Sequence, residues 1–218
     1  MKINKQELIN ALEKVKPGLA NKEMIEQSTS FAFINGRVVT YNDEISISHP
    51  VTDLDLEGAV QATKLYQFLN KIKADEVVGE VKGAEIQLTA GKSKAGLALQ
   101  AEVKLPLDEM GKIGKWYDLP EGFLAALNFT SFSCSSDMSK PVLTCIHVRK
   151  DLGQMESSNN LRATVMSLNG DLPVPSFLIP ASSARILCRY DVKQVARGKG
   201  WIHFLTEDDT IFSCRIFE

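Results

Sequence analysis

The sequence is short of the residues that build catalytic and metal sites. Its four cysteines, Cys134, Cys145, Cys188 and Cys214, include no CxxC pair. Its three histidines, His49, His147 and His203, lie far apart, with no carboxylate spacing that suggests a metal site. The thiols are therefore expected to be reduced and mostly buried, and no cofactor is expected. No apolar run approaches the length of a membrane span. The N-terminal MKINKQELINALEKV is amphipathic and contains Glu7 and Glu13, unlike a signal or transit peptide, so the expected location is the cytoplasm. Positive charge is not in excess: 25 Lys and Arg stand against 27 Asp and Glu, a net charge of −2. A freely diffusing DNA-binding domain is usually more basic. A field depends on where charges sit, however, and basic charge gathered on one face of an acidic exterior fits this count.

Several stretches look chemical and fail on context. Gly91-Lys92-Ser93 resembles the end of a phosphate loop, but the earlier glycine it needs is Ile86, and its flanks read as strands. Asn128-Phe129-Thr130 spells a glycosylation sequon without a secretory signal. Asp208-Asp209 after Glu207 reads as a solvated turn.

What is present is periodic. In ATKLYQFLNKI, from Ala62, the apolar Leu65, Phe68, Leu69 and Ile72 recur at helical spacing, while Lys64, Gln67 and Lys71 fall on the opposite face. Three strand-like runs follow, Glu76 to Lys82, Glu85 to Ala90 and Lys94 to Leu99, joined by turns at Lys82-Gly83 and Gly91-Lys92. The unit is one helix with an apolar underside and a basic upper face, then an antiparallel meander.

The rest of the chain repeats it. A short strand at Ile3 leads to a helix from about Lys5 to Val15, with Asn4 as N-cap and Leu8, Ala11, Leu12 and Val15 on one side. Strands are expected at Gln27 to Ile34, Arg37 to Tyr41 and Ile45 to His49. Asn35-Gly36 is the strongest hairpin signal in the sequence. Leu54 to Gln61 leads into the unit already described. Residues 105–117 carry Pro106, Gly111 and Gly114 without sustained period and read as a linker.

Beyond the linker, Trp116 to Leu119 suits a strand, and a helix is expected to begin at Pro120-Glu121 with Phe123, Leu124 and Leu127 as its stripe. Strands are expected at Leu143 to Lys150, Leu161 to Ser167 and Asp171 to Val174. Gln154 to Asn160 reads as a mobile polar loop. Ser176 to Ile179 then precedes a helix at Ala181 to Tyr190, and strands at Val192 to Ala196, Trp201 to Thr206 and Thr210 to Ile216 end the pattern. The fold class is α+β. Two similar domains, 1–104 and 118–218, are each built from two strand-helix-three-strand repeats, with helices on one face of antiparallel sheets. Bare sheet edges would need hiding, and a closed ring hides them symmetrically.

These residues resemble the DNA sliding clamps, specifically bacterial DNA polymerase III β-subunit clamps. The resemblance rests on INKQELINALEKV, TYNDEISI, ATKLYQFLNKI with EIQLTAGKSK, SKPVL at Ser139 to Leu143, SFLIPASSARIL and TIFSCRIFE, in that order. Two departures stand out. The bacterial clamps have three domains where this chain has two, and the family's TDGxRL-type segment appears only as MSLNGDLP, Met166 to Pro173.

The resemblance implies a DNA-clamp fold and a processivity factor without enzymatic activity. Such a protein encircles double-stranded DNA as a homo-oligomeric ring and tethers the replicative polymerase. Its setting would be the nucleoid, or the host cytoplasm for a phage protein. A two-domain chain would close as a trimer; a fragment of a three-domain clamp would come from a dimer. Inner-wall contacts should be long, water-mediated and blind to sequence, which suits lysine better than a gripping bidentate arginine. The implied DNA-facing residues are Lys5, Lys14, Lys64 and Lys71 on the helices, Lys22 and Lys140 at positions where the family carries arginine, and Arg185, Arg189 and Lys193 on and after the fourth helix. Solvated helix faces are the plainer reading of the same charges. The implied subunit interface holds Ala95 and Leu97, with Ala95 where the family often places a large apolar residue. The implied cleft for peptide motifs of polymerase and clamp loader draws on Leu105, Leu107, Met110, Met166, Leu168 and Leu172, all of which also suit core or loop packing.

Two other functions fit less of the sequence. One is a clamp-fold interaction module never loaded on DNA. The other is a thiol hydrolase using Cys145 with His147, which lie two apart on a strand and so point the same way.

Overall fold

The computed structural model describes residues 1–217; Glu218, counted above with the second domain, lies outside the described residues. The chain divides into two compact units, Met1–Leu107 and Asp108–Glu218.

In the first unit, β1 (Lys2–Asn4) runs straight into α1 (Lys5–Val15). Asn4 makes that junction: its Oδ1 accepts from the backbone N–H groups of Gln6 and Glu7 at 2.8 and 3.2 Å, satisfying two donors the helix leaves free. Leu8, Ala11, Leu12 and Val15 are the buried stripe of α1. β2 (Ser30–Ile34), β3 (Arg37–Tyr41) and β4 (Ile45–Pro50) form the first meander. Ile34 faces Arg37, so the connection is the two residues Asn35 and Gly36, with φ of 50° and 72°. Both left-handed values are what a type I′ turn requires. β5 (Gly58–Gln61) leads into α2 (Ala62–Lys71), which buries Ala62, Leu65 and Leu69. The second meander is β6 (Glu76–Lys82), β7 (Glu85–Ala90) and β8 (Ser93–Gln100). Lys82 faces Glu85, so the first turn is Gly83-Ala84, one residue later than its sequence suggests.

The second unit follows the same plan. β9 (Tyr117–Asp118) precedes α3 (Phe123–Thr130), then β10 (Cys145–Arg149), β11 (Gln154–Ser158) and β12 (Ala163–Ser167). β13 (Phe177–Pro180) leads into α4 (Ala181–Leu187), followed by β14 (Val192–Arg197), β15 (Trp201–Thr206) and β16 (Ile211–Arg215).

The repeats exchange their leading strands. β1 pairs with β6 of the second repeat, and β5 pairs with β2 of the first. In the second unit β9 pairs with β14 and β13 with β10. The exchange is closed by β5 on the end of β8 in one unit and by a Leu178–Phe217 bridge in the other. Each helix thus follows a strand that belongs to the other repeat's sheet.

Three further expectations differ from the structure, besides the shorter fourth helix. Gln154 to Asn160 is not a mobile loop; most of it is β11, paired on both sides. Met155 is fully buried and Ser157 buries its hydroxyl by donating to the Thr130 carbonyl at 2.6 Å, so the strand has the right period but only one apolar residue to show it. Asp171 to Val174 is not a strand: Leu172 and Val174 are buried from an irregular segment. α3 begins after Pro120-Glu121, because Gly122 takes a left-handed φ of 75° and Glu121 bridges to Asn169.

His203 on β15 is buried, and its Nδ1 shares a hydrogen bond with Ser213 Oγ at 2.8 Å. Burial pushes its pKa down to about 4. The unfolded chain binds this proton near pH 6.5 and the folded chain does not, so stability falls as pH drops from about 6.5 toward 4. The expected loss is on the order of 3 kcal/mol across that window. In urea titrations His203→Gln should flatten this acid slope, at a cost of about 1 kcal/mol at neutral pH for the disturbed hydrogen bond.

Candidate nucleic-acid interface

Each unit contains two helices, and in each unit exposed cations lie on or beside at least one of them. On α2, Lys64 and Lys71 are exposed. Seven residues apart, they sit about 20° apart around the axis and about 10 Å apart along it. Gln67 is exposed between them, and α2 carries no carboxylate. Among the described residues neither lysine has an ion pair.

α1 contributes differently. Lys5 and Lys14, nine residues apart, lie about half a turn apart around the helix and cannot both address one surface. Lys5 is half-buried, and its Nζ donates to the Ile72 carbonyl at 3.0 Å, just past the end of α2. That cation satisfies a carbonyl and opposes the negative end of the α2 dipole. Lys14 is also half-buried. Between α1 and α2, Lys16 Nζ lies 5.0 Å from the Tyr66 ring centre. Burial, with the Glu13 carboxylate nearby, holds the Tyr66 phenol well above its ordinary range. Lys22 is exposed on the segment between α1 and β2.

In the second unit the basic residues gather at α4 and its exit. The helix expected to reach Tyr190 ends at Leu187, so Arg185 is on α4 and Arg189 is in the turn after it; both are exposed. With Leu124, Ala125 and Asn128 of α3, and Cys188, they line a depression of about 360 Å³. Arg185 is aimed by a 3.0 Å hydrogen bond from its guanidinium to the Ser131 carbonyl. α3 itself, FLAALNFT, carries no charge at all, so this face is basic through α4 and its exit alone. In the sequence Asn128 stands out only as the start of a glycosylation sequon, and a lone Asn in an apolar helix gives no signal for this surface. Lys140 is exposed in the turn before Pro141. Lys193 is held by Asp191 at 2.8 Å and Glu207 at 3.7 Å, which raise its pKa and cancel much of its charge toward a ligand.

Ala95 and Leu97 lie half-buried on β8, facing the same side as the buried Leu88 and Ile86 that they pair with. Of the residues expected in a peptide cleft, Leu105 and Leu172 are buried, 6% and 1% exposed. Leu107, Met110, Met166 and Leu168 are half-exposed. Met166 is on β12, opposite the buried Met155.

The Cys145 thiol is buried, and burial raises its pKa, the reverse of what activates a nucleophile. His147 turns its Nδ1 to Glu156 at 3.1 Å. Among the described residues no cluster of His, Cys, Asp or Glu could hold a metal ion.

No protein-family description matches the sequence, and no curated protein matches it. Solved structures do match. The β subunit of DNA polymerase from Streptococcus pyogenes shares 20% identity over 100% of this chain, with a TM-score of 0.83. The DNA polymerase sliding clamp of Bacillus subtilis shares 18% at 0.81. The sliding clamp from Pseudomonas aeruginosa bound to griselimycin shares 16% over 99% of this chain, also at 0.81. This chain spans 64% of the length of each. The fold is therefore that of the DNA polymerase III β-subunit sliding clamps.

The partners found for Lys5 separate it from the helix-face lysines. Lys5→Ala should lower stability by about 1 kcal/mol in urea titrations. Lys64→Ala and Lys71→Ala should change it by no more than about 0.5 kcal/mol.

Proposed function

We propose that this chain is a DNA sliding clamp: copies join into a ring around duplex DNA, and the ring tethers a polymerase without catalysing anything. The whole-chain likeness to sliding clamps carries this reading, and the unpaired cations of α2 and α4 supply what an inner wall needs. Lys64 and Lys71 lie along α2, with Arg185 on α4 and Arg189 just after it, rather than converged on one point. Such a surface offers phosphates a positive potential without a fixed docking geometry, which permits sliding. Lys5 and Lys193, already engaged within the protein, contribute less than these four. The clamps that the sequence resembles close with six domains, so two units per chain make three copies. Light scattering should then report three times the 24.1 kDa of one chain.

Retention on DNA tests the topological part. Loaded on a nicked circle by the clamp loader of its own replication system, the protein should stay bound at moderate salt and leave when the circle is cut. Lys64→Glu with Lys71→Glu should shorten retention on the circle about tenfold with circular dichroism unchanged, since salt-dependent binding scales with the phosphates neutralised. Retention equal to that of the wild type would take α2 off the DNA-facing wall, and retention after linearisation would end the encircling reading. Cys145→Ser should leave every one of these properties unchanged.

A further inference from the structure

Gln27 holds a conformation that side chains rarely adopt, and holds it buried. Its φ is 67°, in the left-handed region, and it is 1% exposed. Such a conformation costs free energy and persists only where its surroundings over-determine it. Here every polar group of the residue is engaged. Its N–H donates to Glu23 Oε1 at 2.7 Å, and its carbonyl accepts from the Ser30 N–H at 2.9 Å. Its carboxamide reaches a distant part of the chain. Nε2 donates to the Glu102 carbonyl at 2.8 Å and Oε1 accepts from the Lys104 N–H at 2.7 Å, gripping the backbone on either side of Val103. Beside this grip, Lys104 Nζ donates to Glu26 Oε1 at 2.8 Å.

What is gripped is the segment that leaves β8; what grips it is a loop. The Ala20 N–H donates to the Ser28 carbonyl at 2.8 Å, which closes residues 20–28 on themselves. The Thr29 carbonyl then accepts from the N–H of Ala62, the first residue of α2, at 3.2 Å. The loop is thus tied to the end of α2 that carries Lys64. Its charges are Lys22, Glu23 and Glu26. Both carboxylates are turned into the latch, Glu23 to the Gln27 N–H and Glu26 to Lys104. Lys22 is exposed and has no ion pair among the described residues. A loop that is acidic by count therefore presents a lysine.

Resting on the ring reading, we infer that Gln27 is a positioning residue: it latches the loop to residues 102–104, so that the hold of Lys22 on DNA is coupled to the segment leaving β8. Little else restrains the loop. Inside it run only turn bonds, from the Met24 N–H to the Lys22 carbonyl and from Ser28 to the Ile25 carbonyl, and Met24 at the tip is 89% exposed. The exposed Lys104–Glu26 pair alone is too weak to hold it. The two carboxamide bonds are sheltered from water, and they are the stronger part of the latch. Opening them frees Glu23 and Glu26 to sit beside Lys22 and cancel its charge toward phosphate. Whatever draws residues 102–104 away from Gln27 loosens the hold on DNA at the same stroke.

Binding of the full chain to a fluorescent duplex oligonucleotide, measured over a series of salt concentrations, tests this. Lys22→Ala should weaken binding about threefold and lower the salt slope by about 1, as the loss of one phosphate contact does. Gln27→Gly, which accepts the left-handed φ but has no carboxamide, should do the same. The double variant should be no worse than either single one, because both remove one contact. Hydrogen exchange supplies a readout in the wild type. Saturating duplex should slow exchange of the Lys104 amide several-fold, since what the latch does for the contact the contact must do for the latch. A Gln27→Gly protein with a loosened loop but unchanged affinity and slope overturns the positioning role and leaves the ring. So do additive losses in the double variant, or a Lys104 amide indifferent to duplex. Lys22→Ala without effect, beside a clear loss in the Lys64→Glu, Lys71→Glu protein, takes the loop off the DNA and overturns the inference alone. Wild-type protein with no salt-dependent duplex binding overturns both the inference and the ring reading beneath it.

Discussion

An extended strand carries a row of N–H and C=O groups along each side, and each row needs a partner. A three-stranded meander always has an outer strand short of one. In both units the solution is reciprocal: each repeat gives its first strand to the other repeat's sheet. The helices inherit their positions from that exchange. Asn4 ends β1 and caps α1 at the same residue, so wherever β1 pairs, α1 must start. β5 runs into α2 and β13 into α4 with no residue between. The placement of Lys64 and Lys71 in one unit, and of Arg185 in the other, is in this sense set by backbone hydrogen bonding before any electrostatics enters.

The charge distribution then explains how a chain of net charge −2 offers a basic face. Several cations on strands and loops are matched where they stand: Lys2 by Glu76, Lys82 by Glu80, Lys104 by Glu26, Arg149 by Asp151 and Glu156. Exposed pairs of this kind add little stability, typically under about 1 kcal/mol each. Their effect is local neutrality. α2 and α4 carry no carboxylate, so their cations have nothing on the same helix to offset them. The sum over the chain hides a partition between matched and unmatched charge.

Much of the fold was legible where one residue type does a job few others can. Asn35-Gly36 gave the hairpin because both positions need positive φ, and Asn4 gave the start of α1 because a short polar side chain reaches its first N–H groups. What could not be read was whatever depends on a distant partner. β11 has one apolar residue, and its identity as a strand comes from β10 and β12 on either side. The strand exchange has no local mark at all. The same holds for the candidate interface: α2 and α4 were visible as basic stripes, but the bond from Lys5 to Ile72 and the carboxylates around Lys193 join residues whose proximity only the folded chain creates.

The exchange of leading strands also orders events in time. Lys2 finds its place only opposite Val78, so β1 waits for β6 before it can join a sheet. Contacts this far apart in sequence make folding slow, because a long loop must close before the pairing returns anything. Through that interval β1 has no strand to pair with, although α1 already has β3 and β4 to pack on. A nascent chain of this design is most exposed to aggregation midway through each unit, and its two units offer two such moments during a single passage through synthesis.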